Sequence, residues 1–146
     1  MNLDLSKLND LHIAKSRLLK MELSFIIVND GVIILETSDH GIRALTKAVL
    51  DYNDKLEGAA IADRVVGKAA MLLIMRAKMN SLYAKTISSS ALKLASKASV
   101  SIIYDNLVKM IKNRAGNDMC PFEKTVKNVE DPEEALKALS NKCEIR

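Results

Sequence analysis

The stretch Ala59-Ala60-Ile61-Ala62-Asp63-Arg64-Val65-Val66-Gly67-Lys68-Ala69-Ala70-Met71-Leu72-Leu73-Ile74-Met75 decides the fold. Its first half is apolar and bounded by Gly58 and Gly67, so Ala59–Val66 reads as a strand. From Gly67 to Met79 the pattern reads as a helix, and Ala69 to Met75 is apolar all round. A helix without a polar face is buried on several sides. The alternation then continues. Leu82–Ile87 reads as a strand, and a helix capped within Ser88-Ser89-Ser90 runs to about Ala98. Val100–Tyr104 is another strand and Leu107–Lys112 a short helix. Strands alternating with helices imply right-handed crossovers and a partly parallel sheet.

Towards the start, Leu5, Leu8, Leu11, Ala14 and Leu18 recur at spacings of three and four, predicting an amphipathic helix within residues 1–20. Leu23–Val28 and Val32–Leu35 flank Asn29-Asp30-Gly31, a tight hairpin signal, so the sheet is mixed. Ser38 or Asp39 can cap a second helix whose inward residues are Ile42, Leu45 and Val49. Two helices within residues 121–142 close the chain. One begins at Cys120-Pro121, the other at Asp131-Pro132-Glu133-Glu134, with Asp131 as cap and proline at the first helical position. The expectation is one α/β domain over residues 1–146, a three-layer α/β/α sandwich.

Composition supports a packed core, with 146 residues and 49% hydrophobic. No apolar run reaches the ~18–20 residues of a membrane span. The start, Met1-Asn2-Leu3-Asp4, lacks the basic and apolar regions of a signal peptide. Two cysteines form no disulfide framework, so a cytoplasmic setting is the expectation. Aromatics make up 3%, too few for base-stacking platforms, and no continuous basic arm exists; composition argues against nucleic-acid binding. The net charge of +4 is unevenly spread. Residues 67–116 hold nine basic side chains against Asp105 alone. That middle either forms solvated helix faces or favours anionic partners.

Lys68 sits in a helix first turn, where a cation opposes the helix dipole. Either it reaches out to solvent, or it and the free amides of the helix start hold an anion. The site is no P-loop, because positions 62 and 69 are both alanine. Cys120 before Pro121 falls at a helix N-cap, where amides and dipole favour a thiolate; Arg114 lies nearby in sequence. Glu123 is placed to reach back to that cap. The plainer alternative is a capping motif with cysteine in place of serine. Cys143 lies in a charged terminal helix and reads as incidental. His12 and His40 are isolated, and no CxxC or HxxxH spacing exists, so neither a metal nor a cofactor is expected.

Four blocks carry a resemblance. Asp63-Arg64-Val65-Val66-Gly67-Lys68-Ala69-Ala70, Tyr83-Ala84-Lys85-Thr86-Ile87-Ser88, Asn113-Arg114-Ala115-Gly116 with Cys120-Pro121-Phe122-Glu123, and Asp131-Pro132-Glu133-Glu134-Ala135 follow in order. Over roughly residues 20–140 the chain resembles an uncharacterised family of small prokaryotic proteins, a domain of unknown function placed by fold in the cytidine-deaminase-like superfamily. The resemblance implies a three-layer α/β/α domain with a hairpin first. It does not imply deamination. Where a zinc deaminase carries His-x-Glu or Cys-x-Glu and Pro-Cys-x-x-Cys, this chain reads Val66-Gly67-Lys68-Ala69 and Ser88-Ser89-Ser90-Ala91. The expected function is recognition of a small anionic ligand, a nucleotide or phosphorylated metabolite. Gly67, Lys68, Ser88 and Ser89 would hold it in a zinc-free pocket, with Arg114 assisting. The alternatives are a thiol-dependent enzyme or redox protein using Cys120, and a structural or partner-binding module, including a homodimer.

Overall fold

The computed structural model describes residues 5–145, which form six α-helices and one five-stranded mixed sheet. Helix α1 (Leu5–Lys20) leads into the hairpin β1 (Phe25–Asn29) and β2 (Val32–Thr37). Helix α2 (Ile42–Tyr52) and a 3-10 turn (Asn53–Leu56) precede β3 (Ala60–Val66). Then come α3 (Lys68–Arg76), β4 (Ser81–Ser88), α4 (Ser89–Ala95), β5 (Ser101–Val108), α5 (Pro121–Thr125) and α6 (Pro132–Lys142). The strands lie in the order β2-β1-β3-β4-β5. β1 is antiparallel to both neighbours, while β3, β4 and β5 run parallel.

Two hydrophobic cores flank the sheet. On one face α1 buries Leu11, Ala14 and Leu18 against Ile26, Val28, Ala60, Ala62 and Tyr83. The other face is larger. There Ile61, Leu82 and Ala84 pack under the all-apolar α3, whose residues Ala69 to Ile74 are all buried. Helices α2, α4 and α6 complete that layer through Leu45, Leu94 and Leu139. Burying a leucine of this kind contributes ~2 kcal/mol, which is why the apolar α3 stretch fixes the centre of the fold.

The expected hairpin forms, with Asp30 and Gly31 both at positive φ, 49° and 78°. A buried carboxylate pins it: Asp10 of α1 accepts the amides of Asp30 at 2.9 Å and Gly31 at 2.8 Å. Arg64 donates to the Leu18, Met21 and Leu23 carbonyls, satisfying the carboxyl end of α1.

Two local expectations change. Neither Ser38 nor Asp39 caps α2; the cap position is Gly41, without a side-chain bond. The short helix expected over 107–112 is absent, because Leu107 and Val108 stay in register with Ile87 and Ser88 and prolong β5. Sheet pairing outweighs local helical spacing there.

Candidate functional site

The carboxyl ends of β3, β4 and β5 and the segments that follow them form the region of interest. Helix α3 starts directly after Gly67, which has no side chain with which to cap it. The cap comes from far along the chain. Glu123 of α5 accepts the Lys68 amide at 2.8 Å through Oε1 and the Ala69 amide at 2.8 Å through Oε2. Its carboxylate thus sits at the positive end of the dipole, bound to two otherwise orphaned donors. Gly67 is required by this approach. A Cβ there would stand 2.3 Å from Glu123 Oε1 and 2.6 Å from its carboxyl carbon.

Lys68 faces the same segment. Its ammonium donates to the Lys127 carbonyl at 3.0 Å and to Glu130 at 3.2 Å, leaving the side chain 12% exposed. The anion place expected at Gly67 and Lys68 is therefore filled from within the chain. Glu123, expected to reach back to the Cys120 cap, turns to α3 instead, where two amides and a dipole offer more than one local amide. The signal for this was a helix start lacking Ser, Thr, Asp or Asn, which obliges a cap from elsewhere.

The other expected residues do not converge on Lys68. Ser88 caps α4, accepting the Ala91 amide at 3.2 Å, and lies 3.1 Å from the Ser90 hydroxyl. Ser89 donates to the Val108 carbonyl at 3.2 Å, tying α4 to the end of β5. Arg114 is exposed and makes no ion pair among the described residues. Cys120 is the N-cap residue of α5, half-buried, free, and without a side-chain cap bond. Cys143 ends α6, where burial pushes its thiol pKa up. His12 is exposed on α1, and the His40 ring lies 3.5 Å from Ser24 Oγ.

An open cleft lies beside the filled place. The segment after β5 folds into an ordered lobe: Lys112 bridges Met119, the Asn113 amide donates to Asp118 O at 2.8 Å, and Asn113 Oδ1 accepts the Asn117 amide at 3.2 Å. Gly116 turns the lobe at φ 74°. Between this lobe and α5 is a cleft of ≈ 550 Å³ reached by Lys112, Lys124 and Lys127. Met110 and Lys112 also border a second groove of ≈ 640 Å³, floored by Val65, Thr86 and Val108 and rimmed by Lys109. Lys124 pairs with Asp118, whose carboxyl it holds below the usual range. Lys109, Lys112 and Lys127 carry no ion pair among the described residues. Sequence reading missed these as ligand candidates because they are scattered over two segments that only the fold brings together.

One further carboxyl stands on the sheet. Asp63, at the middle of β3, has no cation partner among the described residues, and burial pushes its pKa up to about 7. Its Oδ1 receives a long bond from the Val65 amide, 3.4 Å, and the Arg64 amide also favours the charged form, but burial outweighs both.

Comparison with known proteins gives a family but no activity. The family model described as TM1506, a domain of unknown function (DUF1893), matches residues 13–143. The crystal structure of a DUF1893 family protein (TM1506) from Thermotoga maritima is similar at 31% identity over 97% of this chain and 92% of that chain, with a TM-score of 0.82. No curated protein matches.

Proposed function

We propose a ligand-binding role for this chain, which belongs to the DUF1893 family, a domain of unknown function: it holds a small anionic ligand, a nucleotide or phosphorylated metabolite, in the lysine-rimmed cleft beyond β5. The observation that carries this reading is the union of two surfaces. Lys112, Lys124 and Lys127 reach the cleft, and the Val65, Thr86 and Val108 groove adjoins it through Met110. Lysines suit phosphate or carboxylate as point charges, and an apolar floor suits the body of the ligand. The groove floor also lies at the carboxyl ends of parallel strands, where open α/β sheets place their ligands. Gly67, Lys68, Ser88, Ser89 and Arg114 are not among the residues that line the cleft or the groove.

Cytidine-deaminase-like ancestry belongs to the same proposal. What supports it is the element order, a hairpin followed by strand–helix units ending in parallel β3, β4 and β5. A cytoplasmic setting also belongs to it, supported by two free cysteines. Among the described residues no helix is long and apolar enough to cross a membrane.

Isothermal titration with pyrophosphate tests the cleft. Replacing Lys112 and Lys127 together by alanine should weaken binding about tenfold or more, about 1.4 kcal/mol. Unchanged affinity in the double variant, or no pyrophosphate binding by the parent protein, overturns the reading.

A second reading rests on Cys120, which follows the cleft-lining Met119 and whose thiol makes no cap bond. It predicts that iodoacetamide modifies Cys120 faster than Cys143 near neutral pH. Equal rates end it.

A further inference from the structure

Strand β5 ends the sheet, and among the described residues only one of its edges is paired. It is eight residues long, Ser101-Ile102-Ile103-Tyr104-Asp105-Asn106-Leu107-Val108, without proline, glycine or lysine. Natural edges are usually blunted by such residues, by bulges, or by a covering element. The opposite edge, β2, is shorter, has a register shift against β1 between Ile27 and Val28, and carries Glu36 in an ion pair with Arg17. β5 shows no register shift against β4, and its one charged residue, Asp105, is engaged by the Tyr83 hydroxyl. Ile103 is 50%, Leu107 50% and Tyr104 40% exposed, and Val65 and Met110 extend the apolar surface at its end. Ile103 and Tyr104 are consecutive, so apolar side chains stand on both faces of the strand.

Charge decides what fits. Asp105 is the single acid in residues 67–116, and its carboxylate accepts the Tyr83 hydroxyl at 2.5 Å. Lys85, opposite it on the neighbouring strand, and Lys109 and Lys112, past the end of β5, are exposed and in no ion pair among the described residues. The β5 of a second copy would bring one acid, Asp105, against these three lysines. An acidic strand would meet complementary charge at Lys85 and at the Lys109 end.

We propose that β5 receives an extended, acidic segment of a partner protein as a sixth strand, with alternating apolar and Asp or Glu side chains. Main-chain hydrogen bonds to the open edge hold the segment, while Ile103, Tyr104 and Leu107 receive its apolar side chains. The lysines select for acidic sequence. Eight residues at ~3.3 Å each give an edge of about 26 Å, room for a segment of comparable length. This surface meets the ligand groove at Val108, Lys109 and Met110, while Ser101 to Leu107 lie outside it, so protection of those amides reads the strand edge whether or not the groove binds an anion.

Amide hydrogen exchange with two peptides tests this. An acetylated and amidated (Val-Glu)4 peptide should slow exchange of the outward-facing amides of β5 tenfold or more, and added salt should weaken the effect. A (Val-Lys)4 peptide should leave them unchanged. Replacing Lys85 and Lys109 by glutamate should abolish the protection while the melting temperature stays near that of the parent. Protection by neither peptide, equal protection by both, or a protein that sedimentation shows to be a dimer with β5 amides already protected would overturn the proposal.

Discussion

Two places at the carboxyl end of the sheet are equipped for an anion, and they differ in what supplies the charge and in who occupies them. At the start of α3 the donors are backbone amides, fixed in direction, and Glu123 already sits on them. In the cleft beyond β5 the donors are lysine side chains on the 109–120 lobe and α5, and the space is open to solvent. A backbone site cannot be left empty without orphaned amides beneath buried residues, so the chain completes it internally. Lysine side chains lose little by waiting in water. The comparison teaches that the rigid half of this region serves stability and the adaptable half is free for a ligand.

The sharpest way to break the comparison is Gly67→Ala. The added Cβ must displace the Glu123 carboxylate, so urea unfolding should show a loss of about 2–3 kcal/mol. In a Glu123→Ala background the same change should cost far less, because the two residues share one contact. An additive pair would mean that Glu123 does not fill the α3 start.

Asp63 shows what a carboxylate costs where burial outweighs its backbone donors. Its folded pKa, about 7, stands above the ordinary value of 3.8. Below that ordinary value the group is neutral in both states and costs nothing. As pH rises the unfolded chain ionises first, so stability falls and levels off above pH 7. Asp63→Asn should therefore stabilise the protein by up to about 4 kcal/mol at pH 8 and by almost nothing at pH 4. A pH-independent difference between the two proteins would contradict the assignment.

Smaller effects refine the picture. Glu123→Gln keeps the shape but turns one acceptor into a donor facing an amide, and should cost about 1–2 kcal/mol in urea unfolding. Lys68→Met keeps the packed stem and loses an ion pair to the exposed Glu130, at under ~1 kcal/mol by the same measurement. A larger loss for Lys68→Met than for Glu123→Gln would move the latch from the carboxylate to the lysine.

The sequence made local features legible and hid long-range ones. The apolar run of α3, the Asp30-Gly31 turn and the Asp131 cap were readable because each obeys a short-range rule; Asp131 indeed accepts the Glu134 amide at 3.0 Å. The full extent of β5 was not, because an exposed edge strand lacks the alternation that burial imposes, and Leu107 to Lys112 mimic a helical spacing. Glu123 misled for a related reason. Its position suited a cap at Cys120, while its partners lie 54 and 55 residues away, and nothing in local spacing reports such a distance. Asp10, pinning the hairpin from α1, escaped notice in the same way.

The most direct test of the central claim is an amide NMR titration of the folded protein with pyrophosphate. The account predicts saturable shifts at Lys112, Asn117, Met119 and Lys127, with Lys68 and Ala69 unmoved because Glu123 holds their amides. Shifts concentrated at Lys68 and Ala69, with the 109–120 lobe silent, would show that an outside anion displaces Glu123 and would contradict it.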